Sequence, residues 1–372
     1  MKFIVSSGAL LKQLQLIGGV VSTNTVLPIL EDFLFDIKDG KLSVFSTDLE
    51  TSMSTTLDVE ANEDGKIAIP AKLLTEMLKS LPEQPLTFDI NNQNLAIEIT
   101  SDKGKYRLTG ENGDDFPRIP VPEETKEIKL PSSVIANAIN KTLFAVGTDD
   151  MRPAMTGVNF ELSNEGITFV ATDAHRLVRY KRSDAKSTKS TSFIVPKKAL
   201  TLLGNAIPTE ETQVKISYNS SNAFFTFGSV KLICRLIDAR FPDYQAVIPA
   251  ENPNHLTINS NDLLSSLRRL IVLSNKTTHQ ATLKMSGSEL QINTRDLDFS
   301  NEGNETLICS YQGEDMEIAF NARFLIDMLS SMNEDEVLIS CSTPSRACIM
   351  TPVTPKENED LLMLVMPIMI NT

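Results

Sequence analysis

The sequence predicts an α+β protein made of three copies of one unit, each with two helices packed on antiparallel sheet. Two observations support this fold class. Two helical segments recur in order at one period of about 125 residues, and alternating strand patterns fill the intervals between them. The chain has 372 residues, which is enough for two to four domains. We therefore expect three domains.

The first recurring element is a short alternating strand followed by a polar cluster and a helix. Its copies align on Leu10, Ile135 and Leu263, at offsets of 125 and 128 residues. Each polar cluster contains a serine that we expect to cap the first turn of the helix: Ser7, Ser132 and Ser260.

The second recurring element is a helix that follows about 60 residues later. Its copies span Ile69 to Pro82, Val195 to Pro208 and Phe320 to Asn333, and they align on Leu74, Leu200 and Leu325. The offsets are 126 and 125 residues, which match those of the first element within an insertion or deletion. Two windows that recur in order at one period indicate three structural repeats.

Between the helices, apolar and polar residues alternate around turn residues, a pattern typical of β-hairpins. The hairpins are predicted at Glu31 to Asp48, Val158 to Asp173 and Ala281 to Thr294. Charged or Pro/Asn-rich segments at Glu123 to Glu127 and Pro249 to His255 are the expected linkers. The predicted domains are therefore residues 1–122, 128–249 and 255–372.

The cysteines and the first residues of the chain indicate the cellular compartment of the protein. The four cysteines form no CxxC motif, so we expect neither a zinc site nor a disulfide framework, but reduced thiols in cores. The first 14 residues lack the features of a signal peptide, and no stretch has 18 consecutive apolar residues. We expect a soluble cytoplasmic protein.

The net charge of −13, taken alone, argues against a nucleic-acid partner, because phosphate contacts need clustered Lys and Arg. The predicted helices have the opposite balance. They carry nine bases, Lys12, Lys72, Lys79, Lys141, Lys197, Lys198, Arg268, Arg269 and Arg323, against three acids, Glu76, Asp262 and Asp327. Lys and Arg are good helix formers on any solvated face, but Glu is equally good and nearly absent here. This imbalance favours a basic helical surface.

Four motifs, together with the threefold repeat, carry a resemblance to a known family. ATDAHRL at 171–177, RFPDYQAVIP at 240–249, LPIL at 27–30 and VMP at 365–367 closely resemble the bacterial DNA polymerase III beta subunit, the replicative sliding clamp. The resemblance covers essentially the whole chain. It implies sliding-clamp (DNA clamp) domains that form a homodimeric ring of six similar domains, with helices lining a central hole for duplex DNA.

The same resemblance implies a processivity factor with no catalytic activity, no cofactor and no metal. Its implied partners are double-stranded DNA bound without sequence preference, the DNA polymerase III alpha subunit, the clamp loader, and other DNA polymerases and repair proteins. The proteins would dock through short peptide motifs in a hydrophobic pocket.

Site residues are carried over from the family by position. The implied peptide pocket comprises Met155, Thr172, Ala174, His175, Arg176, Leu177, Pro242, Val247, Arg346, Leu364, Met366, Pro367 and Ile368. The implied DNA contacts are Asn24, Lys72, Arg152, Lys197 and Lys198. Ala174, Ala246 and Met369 depart from the family pattern, which predicts a more apolar and less basic pocket. The acidic pair Asp149 and Asp150 is unfavourable for a DNA contact.

The dimer interface is predicted at Tyr106 and Leu108 on an edge strand of the first repeat, and at Ile271, Val272 and Leu273 on the first helix of the third repeat. The run from Ile271 to Leu273 is more apolar than one helical face requires, which favours a partner surface. Pairing edge strands between chains would also cover exposed strand edges.

Two other function classes compete with the clamp. Asp173 and His175 could belong to a hydrolase or metal enzyme, but no third ligand or nucleophile has matching spacing, and His255 and His279 are isolated. A loop-structuring role is the simpler interpretation of this pair. The other alternative is a repeat scaffold that binds only proteins. Retention on DNA distinguishes both alternatives from a clamp.

Overall fold

A computed structural model describes residues 1–23 and 26–369 of the chain. Within these residues it has six α-helices, two in each repeat, as predicted. They are α1 (Ser7–Ile17), α2 (Ala71–Lys79), α3 (Ser132–Thr142), α4 (Lys197–Ala206), α5 (Ser260–Leu270) and α6 (Ala322–Met332).

Strands fill the rest of each repeat. In the first repeat they are β1 (Lys2–Ser6), β2 (Asp32–Lys38), β3 (Lys41–Thr47), β4 (Thr51–Asp58), β5 (Glu60–Ala61), β6 (Gly65–Pro70), β7 (Pro85–Ile90), β8 (Ala96–Thr100), β9 (Lys105–Thr109) and β10 (Glu111–Asn112). In the second they are β11 (Lys126–Pro131), β12 (Gly157–Ser163), β13 (Gly166–Thr172), β14 (Arg176–Arg182), β15 (Thr191–Pro196), β16 (Gln213–Tyr218), β17 (Asn222–Phe227) and β18 (Val230–Arg235).

In the third repeat they are β19 (Asn254–Asn259), β20 (Gln280–Ser286), β21 (Glu289–Asp296), β22 (Asn301–Ile308), β23 (Ser310–Gln312), β24 (Met316–Asn321), β25 (Glu336–Cys341), β26 (Cys348–Pro352) and β27 (Glu359–Val365). The three predicted hairpins are confirmed as β2–β3, β12–β13 and β20–β21.

The chain forms two compact units. One contains Met1–Ile135 and Lys198–Leu236, and the other contains Ala136–Lys197 and Ile237–Thr372. Residues of the second repeat are thus divided between the two units, and α3 and α4 cross the division.

The first unit has a five-stranded sheet, β5-β1-β7-β8-β9, and a nine-stranded sheet, β10-β6-β2-β3-β4-β18-β17-β16-β11. In the nine-stranded sheet, β4 of the first repeat pairs with β18 of the second, with Thr51 opposite Cys234. Phe3 of the smaller sheet packs against Phe35 of the larger one at 6.4 Å between ring centroids. The core of this unit therefore lies between its two sheets.

The second unit repeats this arrangement with a four-stranded sheet, β22-β21-β20-β24, and a nine-stranded sheet, β15-β12-β13-β14-β27-β26-β25-β19-β23. Here β14 of the second repeat pairs with β27 of the third, with Arg176 opposite Val365. Each nine-stranded sheet thus joins strands of two repeats through one continuous ladder of backbone hydrogen bonds.

The helices bury one apolar stripe each, as their spacing predicts. In α1 the buried side chains include Leu10, Leu14 and Ile17, and in α5 they include Leu263 and Leu267. No helix in the described part of the chain is long and apolar enough to cross a membrane.

The predicted serine caps are wrong for α1 and α5. Ser6 caps α1 and Asn259 caps α5, because each side chain accepts from amides of the first turn. Ser7, Ser132 and Ser260 are the first residues of their helices. The hydroxyls of Ser7 and Ser132 have another role. Ser7 Oγ accepts a hydrogen bond from Gln84 N at 3.0 Å, and Ser132 Oγ accepts one from Thr212 N, also at 3.0 Å. The Oγ of Ser260 has no partner among the described residues. In the first two repeats these serines tie the helix to the segment before a neighbouring strand.

Candidate functional site

The turn between β13 and β14 is held by its own side chains. Thr172 Oγ1 donates to Arg176 O at 2.7 Å, and Ala174 N donates to Thr172 Oγ1 at 3.1 Å. Asp173 Oδ1 accepts from the backbone amides of His175 and Arg176, each at 2.9 Å. Asp173 therefore structures the turn. Within the described part of the chain, no three His, Cys, Asp or Glu side chains are placed to hold a metal ion.

Ala174 adopts a left-handed backbone conformation, with φ of 75°. This region favours glycine, because an L side chain there meets its own backbone. An alanine at this position therefore carries backbone strain, and the hydrogen bonds of Thr172 and Asp173 hold the turn in this conformation.

An apolar floor lies beside this turn. Leu177 of β14 is opposite Leu364 of β27 in the sheet, and both side chains are buried. Val170, Tyr244 and Ala347 complete the cluster, and Phe241, Ile248 and Leu362 pack against it as partly buried neighbours. The segment 240–248 and the hairpin loop before β26 are thus brought against the ends of β13, β14 and β27.

Several implied pocket residues are exposed around this floor, and we call Met366 and Val247 its exposed rim. Met366 N donates to His175 O at 2.8 Å, which places these two residues side by side. Met366 is 38% exposed and Val247 is 57% exposed, and both are apolar. Apolar side chains held at the surface by ordered backbone are typical of a docking site.

The other implied pocket residues lie on the segments around the floor. Met155 O accepts from Gly147 N at 2.8 Å, and a side chain added at Gly147 would meet both Met155 and Asp173. Pro242 follows Phe241 in the 240–248 segment, and Arg346 is exposed beside Ala347. Pro367 is half-buried, and Ile368 N donates to Ala319 O at 2.8 Å.

Arg176 differs from its exposed neighbours because its guanidinium is buried and hydrogen-bonded within the protein. It donates to Asp173 Oδ2 at 3.0 Å, to Asp327 Oδ2 of α6 at 2.7 Å and to Phe144 O at 2.6 Å. The side chain is only 10% exposed.

Val170, Tyr244 and Ala347 belong to the floor but were not among the site residues predicted from the sequence. Tyr244 lies within the RFPDYQAVIP motif, which indicates that its segment is part of the site but does not indicate that its side chain is buried in the floor. Its hydroxyl donates to Glu161 Oε2 at 3.0 Å. Burial raises the pKa of Tyr244 to about 12, so the phenol stays neutral and keeps this hydrogen bond at physiological pH. Ala347 carries no sequence signal.

The expectation of four reduced thiols is wrong for two of them. Cys341 and Cys348 form a disulfide that closes the hairpin loop between β25 and β26, and this loop carries Arg346 and Ala347. Cys234 and Cys309 are free, and burial raises the pKa of the Cys234 thiol to about 12, so it is unreactive.

The nine bases counted from the sequence all lie within the six helices, as predicted. Seven of them are exposed: Lys12, Lys72, Lys79, Lys198, Arg268, Arg269 and Arg323. The assignment of Lys141 to the outer face is wrong. It is 7% exposed, and Nζ lies 3.5 Å from Met332 O at the carboxyl end of α6. Burial lowers the pKa of Lys141, and the helix dipole at this end favours its charge.

The implied DNA contacts have different surroundings. Lys72 is exposed on α2, and Lys197 begins α4 with its backbone amide bonded to Thr156 O. Lys198 pairs with Asp48 within the first unit, and Arg152 pairs with Asp149 at 2.8 Å. The Asp149 carboxylate therefore offsets the charge of Arg152. Asn24 lies outside the described residues.

The predicted interface residues lie at sheet edges. Tyr106 and Leu108 are half-buried on β9, which is an edge strand of the five-stranded sheet. Residues Ile271–Leu273 form a short 3-10 helix after α5, so their predicted position within that helix is wrong. Val272 is 65% exposed. Near them, β22 is an edge strand of the four-stranded sheet.

Exposed apolar side chains extend this surface beyond the residues that the sequence indicated. Leu297 and Phe299 precede β22 and Ile308 ends it, with exposures of 67%, 73% and 89%. A single apolar residue in or beside a strand does not indicate whether its side chain is buried. The exposure of these three residues could therefore not be predicted from the sequence. Monomeric proteins rarely expose several large apolar residues along one edge, so this edge has the character of an interface.

Comparison with known proteins gives one consistent result. Models of the DNA polymerase III beta subunit match the chain in three segments: the N-terminal domain at residues 1–120, the central domain at 129–243 and the C-terminal domain at 245–369.

Relatives and solved structures agree with these matches. The beta sliding clamp of Escherichia coli strain K12 is 30% identical, covering 91% of this chain and 92% of its own. That of Synechococcus elongatus is 27% identical over the whole of both chains. The crystal structure of the sliding clamp from Pseudomonas aeruginosa bound to griselimycin superimposes with a TM-score of 0.93 at 26% identity, and covers 100% of both chains.

Proposed function

Because the chain belongs to the DNA polymerase III beta subunit family, we propose that it is a sliding clamp that encircles duplex DNA as a homodimeric ring. In this family the protein is a processivity factor and not an enzyme. The clamp holds the replicative polymerase on its template and docks the clamp loader and repair proteins through short peptides. The three predicted domains would each contribute two helices to the lining of the ring.

The observation that carries this proposal is the charge of the helices. A chain with a net charge of −13 places nine bases against three acids on six equivalent helices, and seven of the nine bases are exposed. Attraction to phosphates supplies binding that is independent of sequence, which a sliding protein needs. The acidic remainder would repel DNA from the other surfaces, so the ring would be held by enclosure more than by affinity.

We expect that the Lys197→Ala, Lys198→Ala double variant is retained less well on circular DNA, to the same extent for every sequence. Two phosphate contacts would be lost, so the dependence of retention on salt becomes shallower. Lys198 also pairs with Asp48, which lowers its own share of the binding. Retention is measured by gel filtration of clamp loaded on a nicked plasmid at increasing salt.

The matched control removes two exposed lysines from strands instead of helices, as Lys129→Ala with Lys231→Ala. It changes the net charge equally and should leave retention unchanged. Linearising the plasmid should release the wild-type clamp. A wild-type protein that stays on linear DNA, or a loss that depends on sequence, would contradict the sliding clamp.

The apolar floor with its exposed rim supports a peptide-binding pocket in the second unit. Met366 and Val247 supply exposed apolar surface above Leu177, Leu364 and Tyr244. Methionine repacks at little cost, which suits a surface that binds several different peptides.

We expect Met366→Ala and Pro242→Ala each to weaken binding of a short fluorescent peptide by about tenfold, since each removes apolar contact area of about one side chain. The peptide carries the glutamine and leucine residues that are familiar in partner motifs of the sliding-clamp family. Fluorescence anisotropy measures the dissociation constant. Val353→Ala is the matched control, because this residue is also an exposed apolar side chain, at 41%, but follows β26 away from the floor. Unchanged affinity in both pocket variants would remove the pocket assignment.

The exposed edges support the dimer. Strand β9 of one protomer and β22 of its partner would extend each other's sheets, which covers both open edges. Exposed Lys105 and Arg107 on β9 and exposed Glu302 on β22 have complementary charges. Contact between unlike ends of two identical chains closes a ring when the rotation is 180°.

A further inference from the structure

The disulfide of Cys341 and Cys348 lies at the base of the loop between β25 and β26. Ser340 of β25 pairs with Ile349 of β26, and the two cysteines are the next residues on either side, so they stand opposite each other across the hairpin. Their Cα atoms are 4.6 Å apart, a separation typical of a non-hydrogen-bonded pair in an antiparallel ladder. The disulfide therefore closes residues 342–347 into a short loop.

This loop adjoins both the floor and the exposed rim of the proposed pocket. Ala347, which precedes Cys348, is buried in the floor together with Leu364. On the other side of β26, Cys348 is opposite Val365 of β27, the residue before Met366. The covalent bond is thus one residue from the floor and one strand from the rim.

The hydrogen bonds from outside the loop hold its two ends. Asn252 Nδ2 donates to Ala347 O at 3.3 Å, and Asn254 Nδ2 donates to Ser342 O at 3.1 Å. Residues 343–346 between these ends are exposed. Without the disulfide, the ends would stay tethered while the middle of the loop gained conformational freedom, because a covalent link removes such freedom from the chain it closes.

The compartment gives this bond its significance. Bacterial replicative clamps work in the cytoplasm, where thiols are kept reduced and the disulfides that do form are usually transient, catalytic or redox-sensing. The other two cysteines, Cys234 and Cys309, are free thiols. A change of redox conditions therefore acts on one bond of the chain, and that bond lies beside the pocket.

We propose that Cys341 and Cys348 form a reversible redox site that regulates peptide binding, with low-molecular-weight thiols and disulfides as its reactants. This inference rests on the proposed pocket. In reduction, one small thiolate attacks a sulfur of the disulfide and displaces the other sulfur, and a second small thiolate then resolves the mixed disulfide. The two protons of the small thiols pass to the two cysteines, the protein gains two electrons, and one small disulfide leaves. Oxidation is the reverse reaction.

Burial links this reaction to peptide binding. Cys341 is 1% exposed and Cys348 is 0% exposed, so a thiol reaches either sulfur when the loop opens. A peptide seated above Ala347 would oppose that opening. The oxidised loop is already ordered, whereas the reduced loop must be ordered on binding, so the oxidised clamp binds more tightly. By linkage, bound peptide makes the disulfide harder to reduce by the same factor.

The test measures the affinity of the full-length clamp for the same fluorescent peptide in three states: oxidised, reduced with dithiothreitol, and reoxidised with oxidised glutathione. Alkylation and mass spectrometry count the free thiols in each state. We expect reduction to raise the dissociation constant about fivefold, the size expected for ordering one or two side chains, and reoxidation to restore it. The Cys341→Ser, Cys348→Ser double variant should bind as the reduced wild type does in every buffer.

A matched variant and a second readout separate regulation from a merely structural bond. Cys309→Ser removes a free thiol and should keep the full response to dithiothreitol. The reduced fraction of the wild type is also measured across a series of glutathione buffers, with and without saturating peptide. The equilibrium constant for reduction should fall about fivefold when peptide is bound. Light scattering should give the same mass for the oxidised and reduced clamp.

Each failure points to a different conclusion. Four alkylated cysteines in the unreduced protein, or a disulfide that is reduced only when the clamp unfolds, would show that there is no reversible site. Equal affinities of the oxidised and reduced clamp, with Met366→Ala still weakened, would overturn the regulation and leave the pocket standing. If Met366→Ala and Pro242→Ala bind as the wild type does, the pocket itself is wrong.

Discussion

Val272→Glu should convert the clamp from a dimer into a monomer that is not retained on circular DNA. Val272 is 65% exposed on the 3-10 helix after α5, so the substitution leaves the fold of the single chain intact. In the dimer, the carboxylate would be buried against apolar residues of the partner. Burying an unpaired polar group costs at least about 3 kcal/mol. The dissociation constant of each interface would therefore rise by about 100-fold or more.

Size-exclusion chromatography with light scattering measures the mass, and plasmid retention measures the closed ring. Val121→Glu is the matched control, because Val121 has a similar exposure of 63% and lies in the segment between β10 and β11. It should remain dimeric. A dimeric Val272→Glu variant would show that the interface is elsewhere, and a wild-type monomer that is retained on circular DNA would exclude the ring.

Asp32→Asn should stabilise the first unit at neutral and alkaline pH, and less so in acid. Asp32 is 5% exposed at the start of β2, and its Oδ2 has no hydrogen-bond partner among the described residues. Burial, reinforced by the negative charges of Glu111 and Glu31, raises the pKa of its carboxyl from 3.8 to about 7. The folded chain therefore holds a proton on Asp32 at pH values where the unfolded chain has released it.

The sign of the effect follows from proton binding. Between about pH 4 and 7 the native state binds more protons than the unfolded state, so the stability of the wild type falls as the pH rises. Well above pH 7 Asp32 is ionised in both states, so the stability of the wild type no longer changes with pH through this group. Asparagine cannot ionise. The free energy of unfolding of the variant, relative to that of the wild type, should therefore rise by about 2 kcal/mol between pH 5.5 and pH 8 and then stay constant.

Urea unfolding at a series of pH values measures this difference. Glu111→Gln removes one of the two repelling charges, and so should move the upper end of the window to lower pH. An equal gain from Asp32→Asn at pH 5.5 and pH 8 would show that Asp32 is ionised throughout, and the variant would then act through packing alone.

The helices and hairpins could be predicted because their signals are local. The apolar spacing of α1 and α5 and the turn residues of the β12–β13 hairpin each lie within about 20 residues of sequence. The threefold repeat confirmed each pattern against two other copies. The exact cap was not predictable, since Ser6 and Ser7 are chemically identical, and only the chain direction at the helix start decides which one accepts the amide.

Features that depend on distant contacts were not predictable. Arg176 and Asp327 are 151 residues apart, and Lys141 and Met332 are 191 residues apart. No periodicity links such pairs, so a basic residue at the end of α3 was assigned to the surface although it lies against α6. The disulfide of Cys341 and Cys348 was missed because a separation of seven residues matches no familiar cysteine motif.

The two places where repeats meet, β4 with β18 and β14 with β27, consist of backbone hydrogen bonds in a continuous sheet. A joint of this kind depends on the main chain, which is the same for every residue except proline. Side chains beside the joint are therefore free to change in evolution while its alignment is kept. This explains how one junction came to hold His175 and Arg176 while its counterpart holds Glu50 and Thr51, so that one architecture can acquire a binding site at one junction and omit it at the other.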